Sequence, residues 1–117
     1  MGVFSRTLRL TSMNGERSME IEAMVDTGAA FSVAPTDLLN DLGVRPIDRL
    51  DFTLADGRLV TCDIGQAVAT VEGKSIPTLV GFGEENALAL IGAYTLEGLR
   101  FAVDPVRGEL VPLVATA

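Results

Sequence analysis

The sequence predicts a mostly β, barrel-like domain with one or two short helices. Apolar residues alternate with polar ones in short runs, the spacing of half-buried strands. Turn signals rich in Gly, Asp and Asn separate those runs. Only two stretches have the composition of a helix, and both are short. A chain of 117 residues reads as one domain, 1–117, able to bury a core without metal or disulfide staples.

The elements follow in order. Val3 to Leu10 is the first strand. Asn14-Gly15 is a hairpin signal, because both residues tolerate positive φ. Met19, Ile21, Ala23 and Val25 alternate with Glu20 and Glu22, giving a half-buried second strand that ends at Asp26. Phe31 to Ala34 is a short apolar strand. Pro35-Thr36-Asp37 opens a helix with Thr36 as N-cap; Leu38, Leu39 and Leu42 form its apolar face and Gly43 its stop. Leu50, Phe52 and Leu54 alternate as a strand. Ala55-Asp56-Gly57-Arg58 turns it back into Leu59 to Ile64. Ala67 to Val71 and Ile76 to Phe82 flank a turn at Glu72-Gly73-Lys74, and Pro77 argues that the second of these lies at an edge or starts late. Gly83-Glu84-Glu85-Asn86 is a polar loop. Ala87 to Ile91 reads as a strand buried on both faces, and Gly92 breaks it. Ala93 to Leu99 forms one or two helical turns. Arg100 to Val103 and Glu109 to Val114 make a last hairpin around Asp104–Gly108.

Composition excludes several chemistries. Sixteen acidic against nine basic residues give a net charge of −7, which nucleic-acid phosphates would repel. The chain has no His, which removes imidazole bases and His-rich metal sites. Cys62 is the single cysteine, so it has no disulfide partner within the chain and reads as a core or strand residue rather than a nucleophile. Asp37, Asp41, Asp48 and Asp51 make no recognisable metal loop, so neither metal nor cofactor is assigned. No apolar run is long enough to span a bilayer. Met1 to Arg6 has no signal-peptide core, and Arg6 stands where a myristoylation signal wants Ser or Thr. The chain reads as soluble and cytoplasmic.

The chemistry concentrates at Val25-Asp26-Thr27-Gly28-Ala29, a carboxylate in a Gly-containing turn directly after a strand. Asp-Thr-Gly alone also suits a plain Asx-turn. Its setting adds weight: the hairpin turning at Asp56-Gly57 follows it, then Leu90-Ile91-Gly92 before a short helix. That ordered set, from about Met19 to Leu113, resembles the retropepsin-like aspartic proteases, especially their small single-domain cellular relatives. The resemblance implies a closed retropepsin-like barrel, the acid-protease half-fold. It implies that Asp26 is the catalytic carboxylate and that Thr27 bonds the opposite loop at a subunit interface. Gly28 would let a substrate backbone approach. Ala55, Asp56, Gly57 and Arg58 would form the flap over an extended peptide. Leu90, Ile91 and Gly92 would pack behind the loop, with Leu90 lining a pocket. Glu109 to Val114 would join the dimer interface. Two departures from the retroviral enzymes stand out: the aromatic Phe31 in Ala30-Phe31-Ser32, and a charged rather than Gly-rich flap tip.

Hydrolysis by carboxylates alone needs two of them sharing a proton, one as general base on water and one as general acid toward the carbonyl. One motif per chain therefore implies a homodimeric endopeptidase whose two Asp26 side chains meet on a two-fold axis. The second reading is a binding or dimerisation module that keeps the fold without proteolysis; the third is a small barrel with a fortuitous motif. Ala29 puts no hydroxyl beside the motif, so the ionised carboxylate should be stabilised less than beside a Ser. Ala29→Ser is expected to move the acid limb of the pH–rate profile to lower pH; an unshifted limb would contradict this.

Overall fold

The computed structural model describes residues 4–53 and 57–114. Leu54, Ala55 and Asp56, expected to end the fourth strand and form half of the flap tip, lie outside them. Nine strands and two short helices are described. The strands are β1 (Phe4–Thr11), β2 (Ser18–Val25), β3 (Ser32–Pro35), β4 (Asp48–Thr53), β5 (Leu59–Val71), β6 (Lys74–Gly83), β7 (Ala89–Ile91), β8 (Phe101–Asp104) and β9 (Glu109–Pro112). The helices are α1 (Thr36–Asp41) and α2 (Ala93–Gly98).

Six strands close a barrel in the order β1-β2-β7-β3-β6-β5. β5 returns to β1 through Arg9 opposite Thr70 and Leu10 opposite Ala69. Closure removes the free edges that an open sheet would expose. β4 stands outside the ring, paired only with β5, and β8-β9 form a separate two-stranded sheet. The barrel is filled by the inward residues of its strands, among them Leu8, Leu10, Ala23, Val25, Val71, Val80 and Ile91, with Leu39 and Leu42 from the α1 region and Leu96 and Leu99 from the α2 region. Outward residues of β1 and β2 pair across the ladder: Thr7 donates to Glu22 at 2.7 Å and Arg9 bridges Glu20 at 3.3 Å. The period-2 pattern is therefore obeyed on both faces.

Five expectations change in detail. Asn14-Gly15 is not a two-residue hairpin, because β1 and β2 are joined by the six residues 12–17. Only Gly15 takes a positive φ there, while the Asn14 side chain accepts from Ser12 Oγ and the Glu16 N–H. Thr36 is not the N-cap. Pro35 holds that place without a side-chain bond, and the Thr36 hydroxyl donates to the Gly83 carbonyl at 2.7 Å. Leu59 to Ile64 and Ala67 to Val71 are one continuous strand, since Gly65 and Gln66 keep the ladder opposite Val80 and Leu79. Ala87 and Leu88 lie outside β7, and Leu88 is 71 % exposed, so the buried run is only Ala89–Ile91. Pro77 is neither on an edge strand nor at a late start: β6 begins at Lys74 and lies between β3 and β5, and Pro77 is tolerated in the part of β6 that β3 does not reach, since their pairing begins at Val80.

Leu39 is fully buried and ties α1 to the barrel. Leu39→Ala is expected to lower unfolding free energy by about 3 kcal/mol, read by urea denaturation. A loss below about 1 kcal/mol would mean that α1 is not part of the cooperative core.

Candidate active site

β2 and β7 run parallel, with Ala23 opposite Ala89 and Val25 opposite Ile91, so the two strands end level with each other. Asp26 follows β2 and Gly92 follows β7. The Asp26 N–H donates to the Ile91 carbonyl at 3.0 Å. The chain then turns at once: Gly28 N–H donates to Asp26 Oδ1 at 2.9 Å, and Ala29 N–H donates to the Asp26 carbonyl at 3.2 Å. This is the Asx-turn that Asp-Thr-Gly favours, now hung from a second strand. Asp26 and Ala29 are half-buried, while Thr27 and Gly28 are exposed.

Gly92 permits the close approach of the two segments. A Cβ there would lie 2.4 Å from the Phe31 carbonyl carbon and 2.9 Å from the Ala29 oxygen. Its φ of −90° suits any residue, so space rather than conformation demands glycine. The first amides of α2 then bond the loop: Ala93 N–H to the Ala29 carbonyl at 2.8 Å, and Tyr94 N–H to the Ala30 carbonyl at 3.0 Å. These amides would otherwise lack helical acceptors. Beneath them runs a buried hydroxyl chain. Gly92 N–H donates to Ser32 Oγ at 3.0 Å, Ser32 meets Thr95 at 2.6 Å, and Thr95 meets Thr78 at 2.8 Å. All three side chains are essentially inaccessible to solvent. No buried side-chain polar atom among the described residues lacks a partner. A satisfied buried network of this kind fixes one geometry.

In front of the loop lies a cleft of about 730 Å³. Its floor includes Gly28, Ala29, Phe31 and Leu90, and its roof is the β4–β5 hairpin. Phe52 opposes Val60 and Leu50 opposes Cys62 in that hairpin, and all four line the cleft. The outward side is polar, with Thr61 donating to Asp51 at 2.7 Å and Arg49 bridging Asp63 at 3.4 Å. The lining is largely apolar, which suits a hydrophobic side chain of a ligand. Phe31 crosses the cleft: its ring meets Phe52 edge-on at 6.0 Å and Tyr94 at 5.9 Å.

The structure brings Asp26, Thr27, Gly28 and Ala29 together with Leu90, Ile91 and Gly92. Leu90 faces the cleft, Ile91 is fully buried, and Gly92 backs the loop. Gly57 and Arg58 are exposed beyond the hairpin stem, with Gly57 at φ +86°; Ala55 and Asp56 are outside the described residues. Glu84 and Glu85 are exposed and do not line the cleft. A hydrogen bond with Asp37, and that residue's charge, hold the Glu85 carboxyl above its ordinary value. Cys62 is a strand residue on the cleft wall, and burial pushes its thiol up. Among the described residues no group of three or more His, Cys, Asp or Glu is placed to hold a metal ion. The hydroxyl chain and the three-ring cluster had no sequence signal beyond the apolar bulk of Phe31, because their partners lie 17 to 63 residues apart.

Ser32→Ala removes the acceptor of the buried Gly92 N–H. The expected cost is about 1–3 kcal/mol of stability, read by urea denaturation. Unchanged stability would contradict the role given to this chain.

Comparison with curated proteins finds no match. Among solved structures, the solution structure of a simian foamy virus (mac) protease is similar, with a TM-score of 0.57. At 17 % identity, over 80 % of this chain and 92 % of that one, the likeness is one of fold: a mostly β barrel like that of a retroviral protease. The sequence pattern of the aspartyl protease family matches residues 11–109, spanning both the Asp26 loop and Leu90-Ile91-Gly92. The chain belongs to the aspartyl protease family.

Proposed function

We propose that this chain is one half of a homodimeric aspartic endopeptidase. The observation that carries the reading is the Asp26 loop, braced by Ile91 and Gly92 and opening on an apolar cleft beneath a hairpin. Its family membership supports peptide-bond hydrolysis as the chemistry. Among the described residues the motif occurs once, so the second carboxylate comes from a second copy.

In the dimer the two Asp26 side chains meet on the two-fold axis. Two carboxyls at roughly 3 Å cannot both ionise cheaply, so they share a proton and titrate as a pair. The ionised member takes a proton from a water, and that water attacks the scissile carbonyl carbon. The protonated member gives its proton to the carbonyl oxygen. The C–N bond of the tetrahedral intermediate then breaks as the carboxyl that took the water's proton gives it to the nitrogen and the other carboxylate takes back a hydroxyl proton, releasing acid and amine. Exposed Thr27 bonds the partner loop and keeps the carboxyls coplanar. Exposed Gly28 leaves room for the substrate backbone. Leu90 and the inner face of the β4–β5 hairpin hold an apolar side chain, and the tip that includes Gly57 and Arg58 closes over the peptide. β9 pairs only with β8 among the described residues, so its outer edge is available for strands of a second copy. The proposed setting is the cytoplasm, in keeping with a single unpaired cysteine.

Asp26→Asn is the direct test. The wild type should sediment as a dimer and cleave members of a diverse peptide library somewhere between about pH 3 and 7, with a bell-shaped profile. Asp26→Asn should lose at least about a hundredfold in rate while its sedimentation stays the same. A dimer that cleaves nothing across that range would be a binding module instead. A chain that stays monomeric would contradict the shared site.

A further inference from the structure

The Asp26 loop rests on a rigid base, but the hairpin above it does not. Among the described residues β4 has no sheet partner except β5, and the two extend past the closed barrel. A two-stranded ribbon holds its place weakly on its own. Besides the continuity of β5 into the barrel and the Cys62 thiol, which donates to the Phe82 carbonyl at 3.1 Å, side chains from the barrel reach the hairpin and hold it over the cleft. Phe31 does so. Its backbone is pinned, because Gly92 packs against its carbonyl and Ser32 beside it anchors the hydroxyl chain. Its ring stands edge-on to Phe52 at 6.0 Å and 81°, a favoured aromatic arrangement. Tyr94 backs the same ring at 5.9 Å from the start of α2. Phe31 and Phe52 both line the cleft, so their contact spans the space a ligand side chain would enter.

We propose that Phe31 is a positioning residue that latches the stem of the β4–β5 hairpin onto the Asp26 loop, and so sets how readily the cleft admits a peptide. With the latch made, Phe31, Phe52 and Tyr94 form one cluster tying hairpin, loop and helix together. When Phe52 swings away, the roof lifts and the wall carrying Val60 and Cys62 opens to solvent. An entering apolar side chain replaces the ring contact with its own, so opening costs less when the right ligand is present. The latch stands on geometry alone; its effect on substrate rests on the proposed peptidase.

Cys62 supplies a reporter that does not depend on activity. It is the single cysteine of the chain and lies on the cleft wall under the stem. Burial holds its thiol up, so opening should raise its reactivity. Alkylation by iodoacetamide is measured at one fixed pH under native conditions for the wild type, Phe31→Ala, Phe52→Ala, the double variant and Val71→Ala. Val71 is fully buried at the far end of β5 and controls for general loosening. Phe31→Ala and Phe52→Ala should each label about three- to tenfold faster, the worth of one aromatic pair read as a population change. The double variant should be no faster than the quicker single one, since both remove the same contact. Val71→Ala should label at the wild-type rate. Equal labelling of wild type and Phe31→Ala would overturn the proposal, as would equal acceleration by Val71→Ala or multiplying effects in the double variant. On a peptide that the wild type cleaves, Phe31→Ala should lower KM several-fold with kcat largely kept, because entry no longer displaces the ring contact, and Phe31→Tyr should restore KM; a raised KM or a loss in kcat alone would overturn the role in admission. If the wild type cleaves nothing, the peptidase reading fails while the labelling result still decides the latch.

Discussion

The structure depends on the approach of Gly92 to the Phe31 and Ala29 carbonyls. With a Cβ at that position, the loop from Ala29 to Phe31 could not lie against the start of α2 without moving backbone. The bond from Asp26 N–H to the Ile91 carbonyl, the docking of α2 on the loop, and the hydroxyl chain through Ser32, Thr95 and Thr78 all require that spacing. A carboxylate on an ordinary surface turn would sweep through many positions. Here the turn is bonded to a second strand and a helix, and the side chain starts from a fixed point. That is preorganisation, the property a hydrolytic site needs most.

Rigidity and mobility are divided between two layers. The floor is a closed barrel with satisfied buried polar groups, where local opening costs much of the global stability. The roof is one ladder plus an aromatic contact of modest strength. A cleft built this way has a firmer floor than roof. The apolar inner face of the hairpin, with one ion pair and one hydrogen bond on its outer face, gives the roof a preferred orientation without fastening it.

Much of this was legible in the chain because it follows from local rules. The period-2 alternation of Met19 to Val25 predicted its strand and the burial of Ala23 and Val25, though Met19 is 37 % exposed; the Leu38-Leu39-Leu42 face predicted its helix and burial, and Asp26-Thr27-Gly28 with Leu90-Ile91-Gly92 pointed to the family. The rest depends on partners distant in sequence. Thr36 looked like a cap, but its hydroxyl found the Gly83 carbonyl on β6. Leu88 looked buried, but β7 is short because it is squeezed between β2 and β3 only from Ala89 on. Ser32, Thr78 and Thr95 read as ordinary polar residues until the topology stacked them. Phe31 stood out as an unexpected aromatic, while its partners Phe52 and Tyr94 were visible only in three dimensions.

Each chain holds half of the proposed site, and subunit mixing tests that claim most directly. Wild type and Asp26→Asn chains are co-refolded at fixed total concentration, and peptide cleavage is followed as the wild-type fraction falls. If every site needs Asp26 from both chains, activity follows the square of that fraction, so an equal mixture retains about a quarter of the wild-type rate. A linear fall, with about half retained, would mean that each chain carries a complete site of its own and would contradict the account.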